Sequence, residues 1–137
     1  MHDHPLSEQI DYLARTIYGE ARGETDLGKQ AVGWVIKNRA NRGGWWGDDI
    51  VCVCVKPWQF SCWNENDLNR DKLLQVTLDD EVFAKCYSAA LLVLLDHCPD
   101  ASVGSTHYHT RAVSPDWAKN KTPVGQIGSH LFYNDIQ

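Results

Sequence analysis

The sequence predicts a single, mainly helical α+β domain over residues 1–137, with a short β element near its C-terminal end. Apolar residues recur at helical spacing through the first two-thirds of the chain. Beyond Val103 the pattern changes: residues 106–110 alternate, prolines interrupt the following segment, and residues 131–133 are typical of a short strand. A length of 137 residues with 43% hydrophobic content fits one domain built on one core.

The first two helices can be placed from their capping residues. Ser7 is expected to cap a helix that ends near Gly19, because glycine is favoured where helices stop. Thr25 or Asp26 is expected to cap a second helix, which runs to about Ala40 and is followed by a glycine-containing loop.

The middle of the chain predicts a short helix, a loop and a long helix. The acidic pair at 48–49 favours a helix over 50–55, although the alternating Val and Cys residues would also suit a strand. Residues 65–75 are charged and predict a surface loop with a short helical turn. Thr77 is expected to cap the clearest helix, whose apolar stripe comprises Val82, Phe83, Cys86, Tyr87, Ala90, Leu91 and Leu94.

Charge and cysteine content limit the partners and cofactors. A net charge of −5 argues against a nucleic-acid partner. The longest apolar run, 89–95, is too short to cross a bilayer, and residues 1–5 lack the pattern of a secretory signal. Five cysteines without a CxxC pair predict reduced thiols in a protein made in the cytosol. No cofactor is expected.

The segment 17–24, Ile-Tyr-Gly-Glu-Ala-Arg-Gly-Glu, is the strongest candidate for chemistry. Gly19 and Gly23 bracket two carboxylates and an arginine at the end of an amphipathic helix. A carboxyl group held there beside a cation can be aimed and its pKa tuned, so Glu20 is the candidate general acid/base. The alternative is a helix C-terminus with ordinary surface charges.

Glu24 is a weaker candidate. It lies four residues after Glu20 and would share its face on a continuous helix, and paired carboxylates are typical of glycosidases. Gly23 makes a continuous helix doubtful. Glu24 could instead hold the loop by pairing with Arg22 or Lys29.

Histidines near the C-terminal end suggest a zinc alternative. His107 and His109 share one face of a predicted strand, with Tyr108 on the other. With His130 or Asp116 they could supply three ligands to a catalytic zinc, but they could equally hydrogen-bond the core or a substrate.

Residues 61–63, Ser-Cys-Trp, suggest a cysteine-peptidase alternative. They resemble the local sequence around the nucleophile of papain-like proteases, and a catalytic Cys62 could recruit His107, His109 or Asn134. The alternative is a small packed thiol.

Blocks along nearly the whole chain resemble the SleB/CwlJ type of bacterial cell-wall hydrolase, which also occurs among phage lysis enzymes. They occur in one order and comprise Ala14–Glu24, Gly28, Ala31–Val32, Val35–Arg39, Pro57, Gln59–Ser61, Thr106–His109, Pro115–Trp117 and Ile127–Tyr133. The resemblance implies a compact, lysozyme-like catalytic domain that acts on the glycan strands of peptidoglycan.

The resemblance also implies a reaction. In that family the first glutamate of the Gly-Glu-Ala-Arg-Gly-Glu block is the catalytic acid, which here is Glu20. The associated activity is lytic transglycosylation of the MurNAc-β-1,4-GlcNAc bond, for which one carboxyl group suffices. Hydrolysis of the same bond by a muramidase is the first alternative. A Cys- or Zn-dependent amidase or peptidase and a non-catalytic wall-binding module are the others.

Further residues are expected to contact the substrate. Trp58, Trp63 and Trp117 could stack on sugar faces or belong to the core. The residues expected to line the substrate groove are Gln59, Ser61, Tyr108, His109, Trp58 and Glu24.

We expect a monomer that does not insert into the membrane. We also expect a phage endolysin that is made in the host cytoplasm and released to the wall; a CwlJ-like spore enzyme is the alternative setting.

Overall fold

The structure, a computed structural model, describes residues 4–57 and 59–136. Helix α1 (Leu6–Ala21) lies at its centre, with Leu13, Ala14 and Ile17 fully buried. It packs against each of the other helices, which are α2 (Asp26–Arg42), α3 (Ile50–Val55), α4 (Leu68–Gln75) and α5 (Glu81–Leu94). Among the described residues there are also three single-turn 3-10 helices, at Gly44–Trp46, Ser61–Trp63 and Asp116–Ala118.

A small antiparallel sheet follows the helices. It comprises β1 (His107–Thr110), β2 (Gly125–Ile127) and β3 (His130–Tyr133), in the order β1-β3-β2. Phe132 of β3 packs with Ala31 and Val35, which anchors the sheet on α2. The predicted fold class, mainly α with a short C-terminal β element, is confirmed. The strand β2 was not expected from the sequence.

Helix α1 differs from the prediction at both ends. It begins at Leu6 without a side-chain cap, so the assignment of Ser7 as its cap is wrong. It continues to Ala21, so Gly19 lies inside its last turn instead of ending it. A Cβ at Gly19 would lie 2.6 Å from the Cys62 Sγ, which shows that this glycine serves close packing.

The next two helices follow their predicted caps. The Thr25 hydroxyl accepts from the Gly28 N–H at 3.1 Å, and Gly43, with φ 71°, ends α2. The short helix over 50–55 is confirmed, because the Asp49 carboxylate accepts from the Cys52 N–H at 2.8 Å.

The predicted loop over 65–75 is wrong. Asp67 caps α4 there by accepting from the Asn69 N–H at 2.8 Å. Leu73 is fully buried, and the Arg15 guanidinium donates to the carbonyls of Leu73 and Val76 at the other end of α4. Tertiary contacts therefore stabilise a helix that has little amphipathic pattern of its own.

Helix α5 begins later than predicted. Asp80, not Thr77, is its cap and accepts from the N–H groups of Val82 and Phe83. Its stripe is buried at Phe83, Cys86 and Ala90, whereas Val82 is exposed. No helix within residues 4–57 and 59–136 is both long and apolar enough to cross a bilayer.

Candidate active site

A groove of about 350 Å³ lies where the last turn of α1, helix α2 and the sheet meet. A second depression, of about 470 Å³, shares His109 and Pro115 with it, so the two adjoin and could hold an extended ligand. The residues lining the first groove are Gly19, Glu20, Arg39, Gln59, Phe60, Tyr108, His109, Thr110, Val113, Pro115, Trp117 and His130.

Glu20 lies at this groove on the last turn of α1. The Tyr108 hydroxyl donates to its Oε1 at 2.6 Å. Burial raises the pKa of Glu20, and this outweighs the hydrogen bonds from Tyr108 and Cys62 and the charge of Arg39, which lower it. A carboxyl group of this kind keeps its proton to higher pH than an ordinary glutamate, as a general acid requires.

Arg39 is a site residue that the sequence analysis did not single out. Its Nε donates to the Thr106 carbonyl at 2.7 Å and its Nη1 to the Gln59 Oε1 at 2.6 Å. Its positive charge also acts on Glu20 and Tyr108. The sequence did carry a local signal for Arg39. It lies three positions after Ile36, so its charged side chain falls on the apolar face of α2 that Ile36 helps to bury.

Tyr108 links the sheet to Glu20. Its ring packs edge-on against His130 at 4.9 Å between centroids and lies 5.8 Å from the Phe132 ring. These contacts fix the ring, so its hydroxyl can orient the carboxyl group of Glu20.

Tyr108→Phe should change the pH profile of activity. The Tyr108 hydrogen bond lowers the pKa of Glu20, so its loss should raise that pKa and move the descending, alkaline limb to higher pH. Because Tyr108 holds the acid without transferring its proton, activity at the optimum should fall less than the roughly hundredfold expected for loss of the acid. Rates on purified sacculi across pH measure both effects. A lower rate with an unmoved limb, or the same shift in the control Tyr87→Phe on α5, would contradict this role.

Glu24 holds the turn between β2 and β3. Its Oε1 accepts from the Ser129 N–H at 3.1 Å and its Oε2 from the Ser129 hydroxyl at 2.7 Å. The His130 Nδ1 lies 4.0 Å from Oε1. Glu24 thus holds a loop, as the alternative to catalysis predicts. Its carboxylate binds Ser129 and not Arg22, whose guanidinium donates elsewhere, and Lys29 donates to the Glu24 backbone carbonyl. Substrate contact by Glu24 stays a prediction.

Glu24→Gln should destabilise the protein at neutral pH. Burial raises the pKa of Glu24, but the two Ser129 hydrogen bonds and the charges of His130 and Lys29 more than offset it, and the net pKa is lowered. Its contribution is therefore present above the ordinary pKa of 4.5 and is lost as pH falls through the lower, folded value. We expect a loss of about 1–3 kcal/mol at pH 7. Denaturant unfolding at neutral and at acidic pH measures this loss. An equal loss at both pH values would contradict a role for the Glu24 carboxylate in holding Ser129.

The histidines do not form the zinc site considered from the sequence. The pairing of β1 with β3 places His107 and His109 on one face, where their rings lie 4.9 and 5.6 Å from the Trp117 ring. His130 lies on the other face against Tyr108. No three-ligand cluster containing these histidines or Asp116 occurs in the described part of the chain.

Cys62 is unsuited to act as a nucleophile. Only 1% of its surface is exposed, and burial, followed by the Glu20 carboxylate, raises the pKa of its thiol. A nucleophilic cysteine needs the opposite shift and a histidine beside it. The ring nitrogens of His107 and His109 instead contact threonine and tyrosine oxygens, and the Asn134 amide donates to the Val103 carbonyl. The packed-thiol alternative fits this geometry.

The remaining groove hypotheses fall into three groups. Gln59, His109 and Trp117 line the groove with Glu20. Ser61 is exposed outside that lining, and Trp63 stacks on Tyr12 at 5.4 Å and donates to the Thr16 hydroxyl, so its role is structural. Trp58 lies outside the described residues.

Comparison with known proteins gives relatives over most of the chain. A spore cortex-lytic enzyme of Halalkalibacterium halodurans is 28% identical over 128 residues, which is 91% of this chain and 34% of that protein. A spore cortex-lytic enzyme of Oceanobacillus iheyensis is 27% identical over 126 residues, or 90% and 40%. The chain thus spans between a third and two-fifths of the length of these relatives.

Two solved structures share the fold. The catalytic domain of the Bacillus cereus SleB protein superposes with a TM-score of 0.71 over 96% of this chain and 94% of that one. The catalytic domain of the germination-specific lytic transglycosylase SleB from Bacillus anthracis gives 0.74 over 96% and 98%. Both are 22% identical to this chain.

The family model described as "Cell Wall Hydrolase" matches residues 23–133. This segment holds Arg39, Gln59, Tyr108 and Glu24 and begins three residues after Glu20. Since the match extends over most of its length, the chain belongs to the cell wall hydrolase family.

Proposed function

We propose that this protein cleaves the glycan strands of peptidoglycan at the MurNAc-β-1,4-GlcNAc bond as a lytic transglycosylase, with Glu20 as general acid and then base. The family and the names of the relatives support peptidoglycan as the substrate. The observation that carries the mechanism is that Glu20, with its raised pKa, is the one carboxylic acid among the described residues lining the groove.

The reaction needs one proton donor that becomes one proton acceptor. The protonated Glu20 gives its proton to the bridging oxygen, the bond from that oxygen to MurNAc C1 breaks, and an oxocarbenium-like centre forms. The Glu20 carboxylate then takes the proton from the 6-hydroxyl of the same MurNAc, whose oxygen bonds to C1. The products are a 1,6-anhydro-MurNAc end and a free GlcNAc hydroxyl, and Glu20 is protonated again.

The neighbours of Glu20 suit both halves of this cycle. Burial favours the protonated form before cleavage. Once the proton has left, the Tyr108 hydroxyl and the positive charge of Arg39 stabilise the carboxylate. Because Arg39 also holds Gln59, the same residue positions one wall of the groove.

Hydrolysis by a muramidase is the second candidate reaction. Hydrolytic glycosidases use a second carboxylate to activate water or to attack the sugar. Asp116 lines the adjoining depression but not the groove that holds Glu20. The arrangement favours attack by the substrate's own hydroxyl.

Mass spectrometry of the products from purified sacculi tests the proposal. Anhydro-muropeptides are expected. Reducing MurNAc ends would show hydrolysis instead, free stem peptides would show an amidase or peptidase, and no soluble products would show a binding module.

Cys62→Ala should keep cleavage within a few-fold of the parent, because a buried thiol with a raised pKa takes no part as nucleophile. Product release from sacculi by the two proteins measures this. A near-complete loss in a variant that still folds, shown by its circular dichroism, would favour the cysteine-dependent alternative.

The biological setting stays a prediction. A phage endolysin should lower the turbidity of growing cells whose outer layers have been made permeable. The names of the two relatives favour a spore-cortex enzyme as the second candidate, which should act preferentially on decoated spores. Parallel assays on both substrates separate the two settings.

A further inference from the structure

A second group of reactive side chains lies where the segment before α1 meets the start of α3. His4, Asp49 and Cys52 each offer one ligand atom, and these nitrogen, oxygen and sulfur atoms all lie within 4.8 Å of one another. All three residues are half-buried, and none of them lines the groove at Glu20. We propose that they bind one zinc ion.

The cluster is already partly arranged for a metal. The Asp49 Oδ1 accepts from the Cys52 N–H at 2.8 Å, which fixes the carboxylate, and its Oδ2 faces the His4 Nδ1 at 2.8 Å. Ligand atoms around a tetrahedral zinc are roughly 3.3–3.8 Å apart, given bonds of about 2.0–2.3 Å. Small side-chain rotations would therefore suffice to admit the ion. Packing of α3 on α1 holds the two elements together.

The donor set selects the kind of ion. Thiolate, imidazole and carboxylate ligands together suit zinc and neighbouring transition metals, whereas magnesium and calcium prefer oxygen ligands. The two negative charges of Asp49 and a Cys52 thiolate would balance a divalent cation. Without the ion, burial and Asp49 raise the pKa of Cys52 to about 11, so zinc binding at neutral pH should release a proton.

The expected role is structural. The ion would tie the segment that precedes α1 to the start of α3, and it should raise the melting temperature of the protein. It lies outside the candidate active site, so this inference does not depend on the proposed function.

Metal titration of the full, untagged chain tests the inference. After chelator treatment and reduction, the parent should bind one equivalent of Zn²⁺ in competition with a chromophoric chelator. Co²⁺ should give a thiolate-to-metal charge-transfer band, and Zn²⁺ should raise Tm. Cys52→Ser should abolish the band and weaken Zn²⁺ binding by at least about tenfold. Even the loss of a residue that only hydrogen-bonds a metal ligand typically lowers metal affinity by that factor.

Two further variants make the result decisive. Asp49→Asn keeps a side chain able to cap α3 but loses the charge, so it should stay folded and bind Zn²⁺ more weakly. Cys98→Ser removes another half-buried thiol and should bind as the parent does. The inference is overturned if the parent shows no saturable binding, if binding and the band survive Cys52→Ser, or if Cys98→Ser reduces them equally. His4, Asp49 and Cys52 would then form a hydrogen-bonded contact alone.

Discussion

Glu20→Gln is expected to lower the rate of glycan cleavage by about a hundredfold or more while the protein still binds sacculi. The amide is nearly the same size and can accept from Tyr108, but it has no proton to give to the bridging oxygen. Release of muropeptides measures the rate, and sedimentation with sacculi measures binding. If the variant lost binding to sacculi as well as cleavage, the change would have damaged the groove and not only removed the proton donor.

The matched control is Glu81→Gln, the same change at an exposed position in the first turn of α5. It should cleave at the rate of the parent. If Glu20→Gln and Glu81→Gln both lyse walls normally, Glu20 is not the acid and the proposed mechanism is wrong.

The stability of Glu20→Gln provides a second, independent readout. Because the folded protein raises the pKa of Glu20 above 4.5, ionisation of this group opposes folding once the pH exceeds its ordinary value. The glutamine variant should therefore be more stable than the parent at neutral pH, and the difference should vanish below about pH 4.5. This dependence is opposite in sign to that of Glu24→Gln.

Short-range signals account for the parts of the fold that the sequence predicted correctly. Thr25 and Asp49 cap their helices with neighbours three residues away, so their sequence context is sufficient. Helix α4 could not be found in the same way. Leu73 is its one fully buried side chain, and the cation that binds its final carbonyls is Arg15, 58 residues earlier in the chain.

The candidate site likewise combines a local pattern with long-range contacts. The local pattern around Glu20 predicts an acid, and the family resemblance supports that prediction. The contact that orients the acid joins Glu20 to Tyr108 across 88 residues, and the hydrogen bond between Glu24 and Ser129 spans 105 residues. Such pairs depend on how the sheet docks on the helices, and periodicity within one segment carries no information about that.

Gly19→Ala is expected to destabilise the protein by about 1–3 kcal/mol and to lower its activity. The new Cβ would lie 2.6 Å from the Cys62 Sγ, 2.7 Å from its Cβ and 2.9 Å from the Leu73 Cδ1. These contacts should outweigh the roughly 1 kcal/mol that alanine gains over glycine inside a helix. Because the displaced backbone carries Glu20 in the next position, the cleavage rate should fall as well. Thermal unfolding and muropeptide release measure the two effects.

The other glycine of the same motif is the natural control. A Cβ at Gly23 would meet no atom within 4 Å, and Gly23 does not adopt a positive φ, so Gly23→Ala should be neutral or stabilising by up to about 1 kcal/mol. Cys62→Ala should restore part of the stability of Gly19→Ala, since it removes the closest atom but not the Cβ. Equal stability of the two glycine variants would mean that the last turn of α1 is not packed as described. The two glycines look equivalent in the sequence, and the difference between them arises because α1 passes Gly19 and brings it, with Glu20, against the turn that carries Cys62.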